Sequence, residues 1–392
     1  MYKVVVLGGG FAGVTFSKNL LKLSKNSNNI KVHLVDVNEY QCLLPSVPSL
    51  ISNKNQKILL YYSDIFRKFK NFEFTKAKVE NISFEEKIIY LDNGNTINYD
   101  QLILSLGVQP YDLGIENVKE NAIMFWDEKD LNKYVQKLNY FISKGISPRI
   151  LIIGAGPIGV EIASETYHFL NKNKMGANIL IIEAKERCLP TLDEKLSKSV
   201  EKYILNKGIK ILYNSYVCGV EKDYVYCQDG KKYEYDILIW SVGVTANPIL
   251  KKIESNSEFK FEKGQQGRII VDEYLRVKNI QDVWAIGDIA LPQNQKVFPM
   301  ALAQFAIQMA EVCSTNVLNH ILGKDLKKLN LSFKGIVIQL SKSHAAALLE
   351  KPFKIIIPPS YLGLMLRKLI DLNYIISVGA KPRKYPLQTL ES

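Results

Sequence analysis

The chain has 392 residues, more than one ordinary domain needs, with 47% hydrophobic and 23% charged side chains, a balance that excludes a disordered or low-complexity protein. Its net charge of +12 favours acidic partners such as anionic lipid or a phosphate-rich ligand, or else reports a solvated lysine surface. No basic run is interleaved with aromatics as a nucleic-acid groove requires, so no nucleic acid is expected.

In chain order, residues 4–7 form a short apolar strand that runs into the glycine turn 8–13. A helical stretch with Val14, Phe16, Leu20 and Leu21 on its apolar face follows. A second strand, 30–35, ends in Asp36. Short strands are expected at 73–82, 87–91 and 96–98, with Asn93-Gly94 as a hairpin turn. An apolar strand at 102–106 ends at Gly107.

The same unit then repeats. Strand 150–153 leads into the turn 154–159, helix 160–170 and strand 179–182, which ends in Glu183. A hairpin over 224–235 and a buried strand at 237–240 close this unit at Gly243. Residues 283–286 form a strand ending in Gly287-Asp288, and a long helix runs from about 301 to 322. From 331 onward strand-like segments precede an amphipathic stretch near 362–376.

The expected fold is therefore α/β, with two Rossmann-like dinucleotide-binding domains and a small C-terminal membrane-association region. The first domain is expected to be discontinuous, 1–112 with 250–325. The second spans 113–249, and the C-terminal region spans 326–392.

The glycines have physical reasons. Gly8 and Gly154 permit a tight turn out of the strand. Gly10 and Gly156 let the backbone approach a pyrophosphate, and Gly13 and Gly159 let helix and strand pack closely. The phosphates would sit on the helix N-termini, against Phe11 and Ala12 in one unit and Pro157 and Ile158 in the other. Asp36 lies 23 residues beyond Gly13 and Glu183 lies 24 beyond Gly159, the places from which a carboxylate accepts from a ribose diol. At the second site that acid repels a 2′-phosphate and selects NADH over NADPH, although Lys185 and Arg187 follow closely.

Two dinucleotide sites imply electron transfer between dinucleotides, and FAD with NADH is the natural pair. Asp288 is then placed to bind flavin ribitol hydroxyls, with Gly107, Gly243 and Gly287 marking the strand ends around the two sites.

Five scattered cysteines (Cys42, Cys188, Cys218, Cys227 and Cys313) form no CxxC, which argues against a disulfide scaffold, a zinc site and a dithiol centre. The four histidines lack ligand-spaced partners, so no metal is expected. The opening MYKVVVLGGG has no secretory pattern, and no stretch approaches the roughly 20 apolar residues of a membrane span.

The segments VVVLGGGFAG, LVDVNEYQCLLP, ILIIGAGPIGVEIASE, IWSVGVTANP, VWAIGDIA and PMALAQFAIQ occur in that order. Together they resemble the two-dinucleotide-binding-domain flavoproteins, and among them the type II NADH:quinone oxidoreductases. The resemblance covers nearly the whole chain. It implies electron transfer from NADH through FAD to a membrane quinone without proton pumping, by a peripheral enzyme on the cytoplasmic side of the cell membrane. It places Ala303, Gln304 and Gln308 beside the flavin and the quinone tunnel, with Met309 where the family has a second glutamine. It also places Glu161 near flavin and nicotinamide, where it helps route protons; a first-turn carboxylate of no special role is the other reading.

In the stretch 362–376, Leu362, Met365, Leu366, Leu369, Leu372 and Ile376 repeat at helical spacing. Arg367, Lys368 and Asp371 lie off the stripe, and Lys381, Arg383 and Lys384 follow. That pattern suits a helix lying in an anionic membrane surface, or one packed on the protein or in a homodimer interface. Rival functions are a soluble NADH-dependent reductase of a ferredoxin- or rubredoxin-type carrier, and a sulfide:quinone oxidoreductase-like enzyme.

Overall fold

The structure, a computed structural model, describes residues 1–25 and 29–387; the last five residues of the expected C-terminal region lie outside them. Two five-stranded parallel sheets repeat one plan. In the first, Tyr2–Leu7 is central, with Ile30–Asp36 and Phe72–Lys76 to one side and Gln101–Leu104 and Val283–Ala285 to the other. In the second, Arg149–Ile153 is central, with Asn178–Ile182 and Lys210–Leu212 to one side and Ile237–Trp240 and Ala122–Ile123 to the other.

The strands read as continuous apolar runs because both faces are covered: Val4, Val5, Val6 and Leu7 are all fully buried. Helix Phe11–Leu23 packs along helix Ala303–Ile321 against the first sheet. The edge positions differ in origin. The second sheet takes its edge strand from just upstream, whereas the first waits for Val283–Ala285, far along the chain.

Each unit carries a three-stranded antiparallel sheet, Val79–Ser83 with Ile88–Leu91 and Thr96–Asn98, and Val217–Val220 with Tyr224–Cys227 and Lys232–Glu234. The single strand expected at 73–82 is two. Phe72–Lys76 belongs to the parallel sheet, and Val79–Ser83 starts the antiparallel one after a break at Ala77-Lys78. The strand expected at 102–106 ends at Leu104, where Ser105 turns its hydroxyl back onto the first strand.

The C-terminal region is a sheet of Gly335–Gln339, Ala345–Leu349 and Ile355–Ser360 followed by helix Tyr361–Val378. Ser360 caps that helix by accepting from Gly363 N–H at 3.3 Å, and Gly379 ends it in the left-handed region at φ 67°. The helix lies directly on the sheet: a Cβ added at Gly363 would fall 1.9 Å from the Ala345 carbonyl oxygen.

The two faces of this helix differ sharply. Inward, the Arg367 guanidinium donates to Ser46 Oγ and to Asp371, each at 3.2 Å. The Tyr374 hydroxyl exchanges hydrogen bonds with the buried Gln41 amide at 2.8 and 3.0 Å, and its ring lies 4.7 Å from that of Phe11. Lys18 Nζ donates to the Val378 carbonyl, a cation on a helix C-terminus. Outward, Leu362, Met365, Leu369, Leu372 and Ile376 are 46–68% exposed.

Three expectations for this segment change. Arg367 is buried against the body rather than flanking the stripe in solvent, and Leu366 turns towards the sheet beneath. Arg383 and Lys384 are held by Asp64 and Asn55, and they pair as a short strand with Lys57–Tyr61. The helical period located the stripe, but it could not say which cations a returning chain would consume.

Tyr374→Phe removes the phenolic partner of a buried amide, a loss of about 1–3 kcal/mol. We expect limited proteolysis to release the C-terminal segment of this variant sooner than in the parent, with the parallel sheets intact by circular dichroism.

Candidate functional site

The two glycine turns are built alike. Gly8 and Gly154 take φ of +99° and +102°, open to glycine and costly for other residues. A Cβ added at Gly13 would fall 1.9 Å from the Gly8 carbonyl oxygen, and one at Gly159 would fall 2.0 Å from that of Gly154. A serine clasps each turn. Ser105 Oγ donates to Leu7 O and Gly8 O, both at 2.8 Å, and Ser241 Oγ donates to Ile153 O at 2.7 Å and Gly154 O at 3.3 Å.

The middle glycines differ from these: a Cβ added at Gly10 or Gly156 meets nothing within 4 Å. Packing does not require them to be bare. The space above them is open to a phosphate at the helix start. Phe11 leans on Tyr374, Ala12 is buried, Pro157 opens its helix at N1, and Ile158 is 40% exposed.

The strand-end acids also match. Asp36 accepts from Gly9 N–H at 2.5 Å and Asn38 N–H at 2.8 Å; Glu183 accepts from Ala155 N–H at 2.7 Å and Lys185 N–H at 2.8 Å. In each, one main-chain donor falls on each carboxylate oxygen, which leaves a lone pair on both for a diol. Arg187 spends its guanidinium on the carbonyls of Leu189, Pro190 and Leu192, so it is not presented to a 2′-phosphate.

Gly287-Asp288 meets the first turn. A Cβ added at Gly287 would lie 2.8 Å from Ala12 Cβ and 3.8 Å from Ala306 Cβ, so the first turns of both long helices converge there, Ala303 among them. The Asp288 carboxyl accepts no hydrogen bond from any described residue. Desolvation pushes it up to about 6, and the Arg268 guanidinium opposes the rise. A desolvated carboxyl without a donor beside a bare phosphate turn fits the hydroxyl chain of a bound flavin nucleotide. Arg268 is itself buried, donating to Pro299 O at 2.8 Å and Ala290 O at 2.7 Å. No motif in the sequence marked it. Gly107 and Gly243 turn at φ of +67° and +76° at the ends of the matching strands.

A second cluster sits where all three parts meet. Glu161 and Glu165, one turn apart on helix Pro157–Lys172, are 6% and 0% exposed. Gln339 spans them: its N–H donates to Glu161 at 2.9 Å, and its amide reaches Glu165 at 3.5 Å. Ser52 Oγ also donates to Glu165. Burial pushes Glu161 up to about 7, with Arg367 opposing, and Glu165 up to about 8. Glu165 was not singled out from the sequence; its spacing of four from Glu161 was the available signal. Gln339 and Arg367 also line a cavity of about 310 Å³ between the C-terminal helix and the 43–57 segment, with Ser46, Gln56, Lys57 and Leu364 around it.

Gln304 and Gln308 do not line that cavity. Gln304 bonds Gly335 O and Lys334 N–H, both at 2.8 Å, and Gln308 bonds Ser332 O and N–H, both at 3.0 Å. They staple their helix to the 332–335 crossing. Met309, in the place of a second glutamine, is 1% exposed in the core.

Residues 2–310 match the pyridine nucleotide-disulphide oxidoreductase family. The chain belongs to that family. It is 27% identical over 338 residues to a probable NADH dehydrogenase of Dictyostelium discoideum, covering 79% of this chain and 72% of the relative. It is 26% identical over 402 residues to the type II NADH:quinone oxidoreductase of Haemophilus influenzae, covering 90% and 88%. Its fold is similar to that of NDH2 from Plasmodium falciparum solved with NADH, at TM-score 0.82, 21% identity and coverage of 96% and 95%. It is also similar to that of a sulfide:quinone oxidoreductase from Aquifex aeolicus, at TM-score 0.80, 18% identity and coverage of 97% and 92%. At those identities the structural likeness is one of fold.

Within the pyridine nucleotide-disulphide oxidoreductase family this chain lacks the dithiol. All five cysteines are free, and burial raises the thiols of Cys42, Cys188, Cys227 and Cys313. Low-pKa thiolates are what disulfide or sulfide chemistry needs, and those four are the opposite.

Gly10→Ala leaves the fold unstrained and blocks a phosphate approach, so we expect an unchanged circular dichroism spectrum with weakened FAD retention. Gly13→Ala overpacks backbone against backbone, costing about 1–3 kcal/mol or more, and is expected to lower thermal stability as well. Because the folded-state pKa values of Glu161 and Glu165 are raised, their stabilising contribution is complete below the unfolded value of about 4.3 and is lost as pH rises through 7 to 8. The thermal midpoint should fall over that window in the parent and fall less in Glu161→Gln/Glu165→Gln.

Proposed function

We propose that the chain is an FAD-dependent NADH dehydrogenase that passes electrons to a quinone at a membrane surface without pumping protons. The observation that carries the reading is the duplicated turn: two bare phosphate cradles, each with a carboxylate poised for a ribose, in one chain. We assign 1–112 with 250–325 to FAD, 113–249 to NADH and 326–392 to surface attachment. FAD would be held by Gly8, Gly10, Phe11, Ala12, Gly13, Asp36 and Asp288. NADH would be held by Gly154, Gly156, Gly159 and Glu183, with Pro157 and Ile158 on the same helix start. Bound FAD supplies the step that takes a hydride from NADH and delivers its two electrons onward.

The chain's own part is position and charge. The helix N-termini at Phe11 and Pro157 offer free N–H groups to the pyrophosphates. Glu183 repels a 2′-phosphate, and the engaged Arg187 gives that phosphate no counter-ion, which favours NADH. Glu161, at the wall of the 310 Å³ cavity through Gln339, can hold or release a proton near neutral pH. We place the quinone head in this cavity, with Arg367 and Gln339 against it. Gln304 and Gln308 shape the flavin side by fixing the 332–335 crossing, and Ala303 opens the helix that carries them.

The exposed stripe on helix Tyr361–Val378 supports peripheral attachment. No helix among the described residues is long and apolar enough to cross a membrane. An outward apolar face with Lys368 beside it suits an anionic lipid surface.

Anaerobic stopped-flow tests the reading. NADH is expected to bleach the flavin far faster than NADPH, and a short-chain quinone to restore its colour rapidly. Bleaching without quinone reoxidation would move the acceptor to a protein carrier. Leu369→Glu/Ile376→Glu is expected to reduce binding to anionic vesicles at least tenfold while sparing the soluble-quinone rate. Unchanged vesicle binding together with a loss of dimer in sedimentation would make the stripe a homodimer face.

A further inference from the structure

Two helices and one strand pack around the Gly287-Asp288 turn. Helix Phe11–Leu23 meets it through Ala12 and helix Ala303–Ile321 through Ala306, and neither brings a charge to Asp288. The strand is Ile269–Val271, which runs beside Ala290–Pro292 and is entered through Arg268. Arg268 is 1% exposed, so its guanidinium is out of water and needs a counter-charge. Among the described residues only Asp288 acts on it as one, and Arg268 in turn is the only charge that acts on Asp288.

No direct ion pair joins the two. A contacting pair would consume the carboxylate oxygens, whereas a counter-charge at one remove leaves them free, and Asp288 stays partly accessible at the bare turn. The guanidinium fork is spent on main chain instead. One arm donates to Ala290 O, just past Asp288, and the other to Pro299 O, just before helix Ala303–Ile321. The Phe298 ring covers the guanidinium at 5.9 Å. Nε is buried and has no partner, so those two carbonyls alone hold the side chain by hydrogen bonds. A single residue thus ties the segment after the acid to the segment before the second helix of the site.

We propose that Arg268 is a positioning residue of the FAD site: its buried charge is the counter-ion of the Asp288 carboxylate, and its fork fixes the turn that aims this carboxylate at the ribitol hydroxyls. This rests on FAD binding at the first unit. Burial alone would keep the proton on Asp288, and the guanidinium draws it off. Balanced in this way, the carboxyl titrates at about 6 and is an anion through the neutral range. An anion offers only acceptors to a pair of hydroxyls, and its hydrogen bonds are the stronger ones. Without the guanidinium, burial is unopposed and the proton stays on to higher pH. FAD retention therefore weakens as pH falls through the Asp288 value, and Arg268 sets where that boundary lies.

The test follows FAD release from the loaded protein, read as free-flavin fluorescence, between about pH 5 and 9. In the parent, release is expected to accelerate only below about pH 6. Arg268→Met should move that boundary up by about one pH unit or more, the reach of a lost opposite charge, and speed release about tenfold at neutral pH. Arg268→Lys keeps the charge without the fork and should hold the boundary within about half a unit of the parent's. Asp288→Asn should abolish the boundary, and adding Arg268→Met to it should not bring one back. If Arg268→Met speeds release by one factor at every pH, Arg268 is a packing residue and the proposal is overturned. An Arg268→Lys boundary equal to that of Arg268→Met overturns it too. Should Arg268→Met not fold, Arg268→Gln replaces it. Should neither fold, Asp288→Asn decides: an unmoved boundary there sinks the proposal, and its loss, with the boundary kept in Arg268→Lys, supports it. A parent that retains no FAD at any pH overturns the flavin reading and this proposal with it.

Discussion

Everything else in the molecule hangs on the backbone-to-backbone contact at the two glycine turns. Gly13 and Gly159 sit so close to the preceding carbonyls that no side chain fits, and Ser105 and Ser241 tie those same carbonyls to the neighbouring strand. The contact brings a helix N-terminus against the end of a buried strand, and the strand-end carboxylate locks it from the other side. Close packing explains the outer glycines, whereas the middle ones stay bare over open space. That division within six residues separates the positions that packing fixes from those it leaves open.

The second organising feature is the junction of three parts at Glu161 and Glu165. The helix Pro157–Lys172 of the second unit supplies both acids. The first unit supplies Ser52, the C-terminal sheet supplies Gln339, and the C-terminal helix supplies Arg367. Buried carboxyls are costly when ionised and unpaired, and here hydrogen bonds from separate segments meet that demand in part. A site assembled from all parts of the chain responds to how those parts are seated, including the helix whose other face is exposed to the surroundings.

Much of this was legible in the sequence where chemistry is local. The turns, both acids, the hairpins and the repeat follow from spacing, and so does the pairing of Asp288 with the first unit once a repeat is recognised. Long-range consumption of polar groups was not legible. Arg187 reads as a possible phosphate ligand until three carbonyls are seen to hold it, and Gln304 and Gln308 read as lining residues until the 332–335 crossing takes their amides. Arg383 and Lys384 read as free cations until they pair as a strand with residues near 57–59. Glu165 and Arg268 carry no motif at all; their burial is a property of the assembled fold.

The edge strand Val283–Ala285 has a consequence for how the protein is made. The second sheet draws all its strands from residues 122–240, so it can close while the ribosome is still adding the last third of the chain. The first sheet cannot, because its closing strand and the Asp288 that follows it arrive some 180 residues after Gln101–Leu104. The N-terminal turn is therefore translated first and finished late. Until Val283–Ala285 arrives, Gln101–Leu104 is the open edge of that sheet.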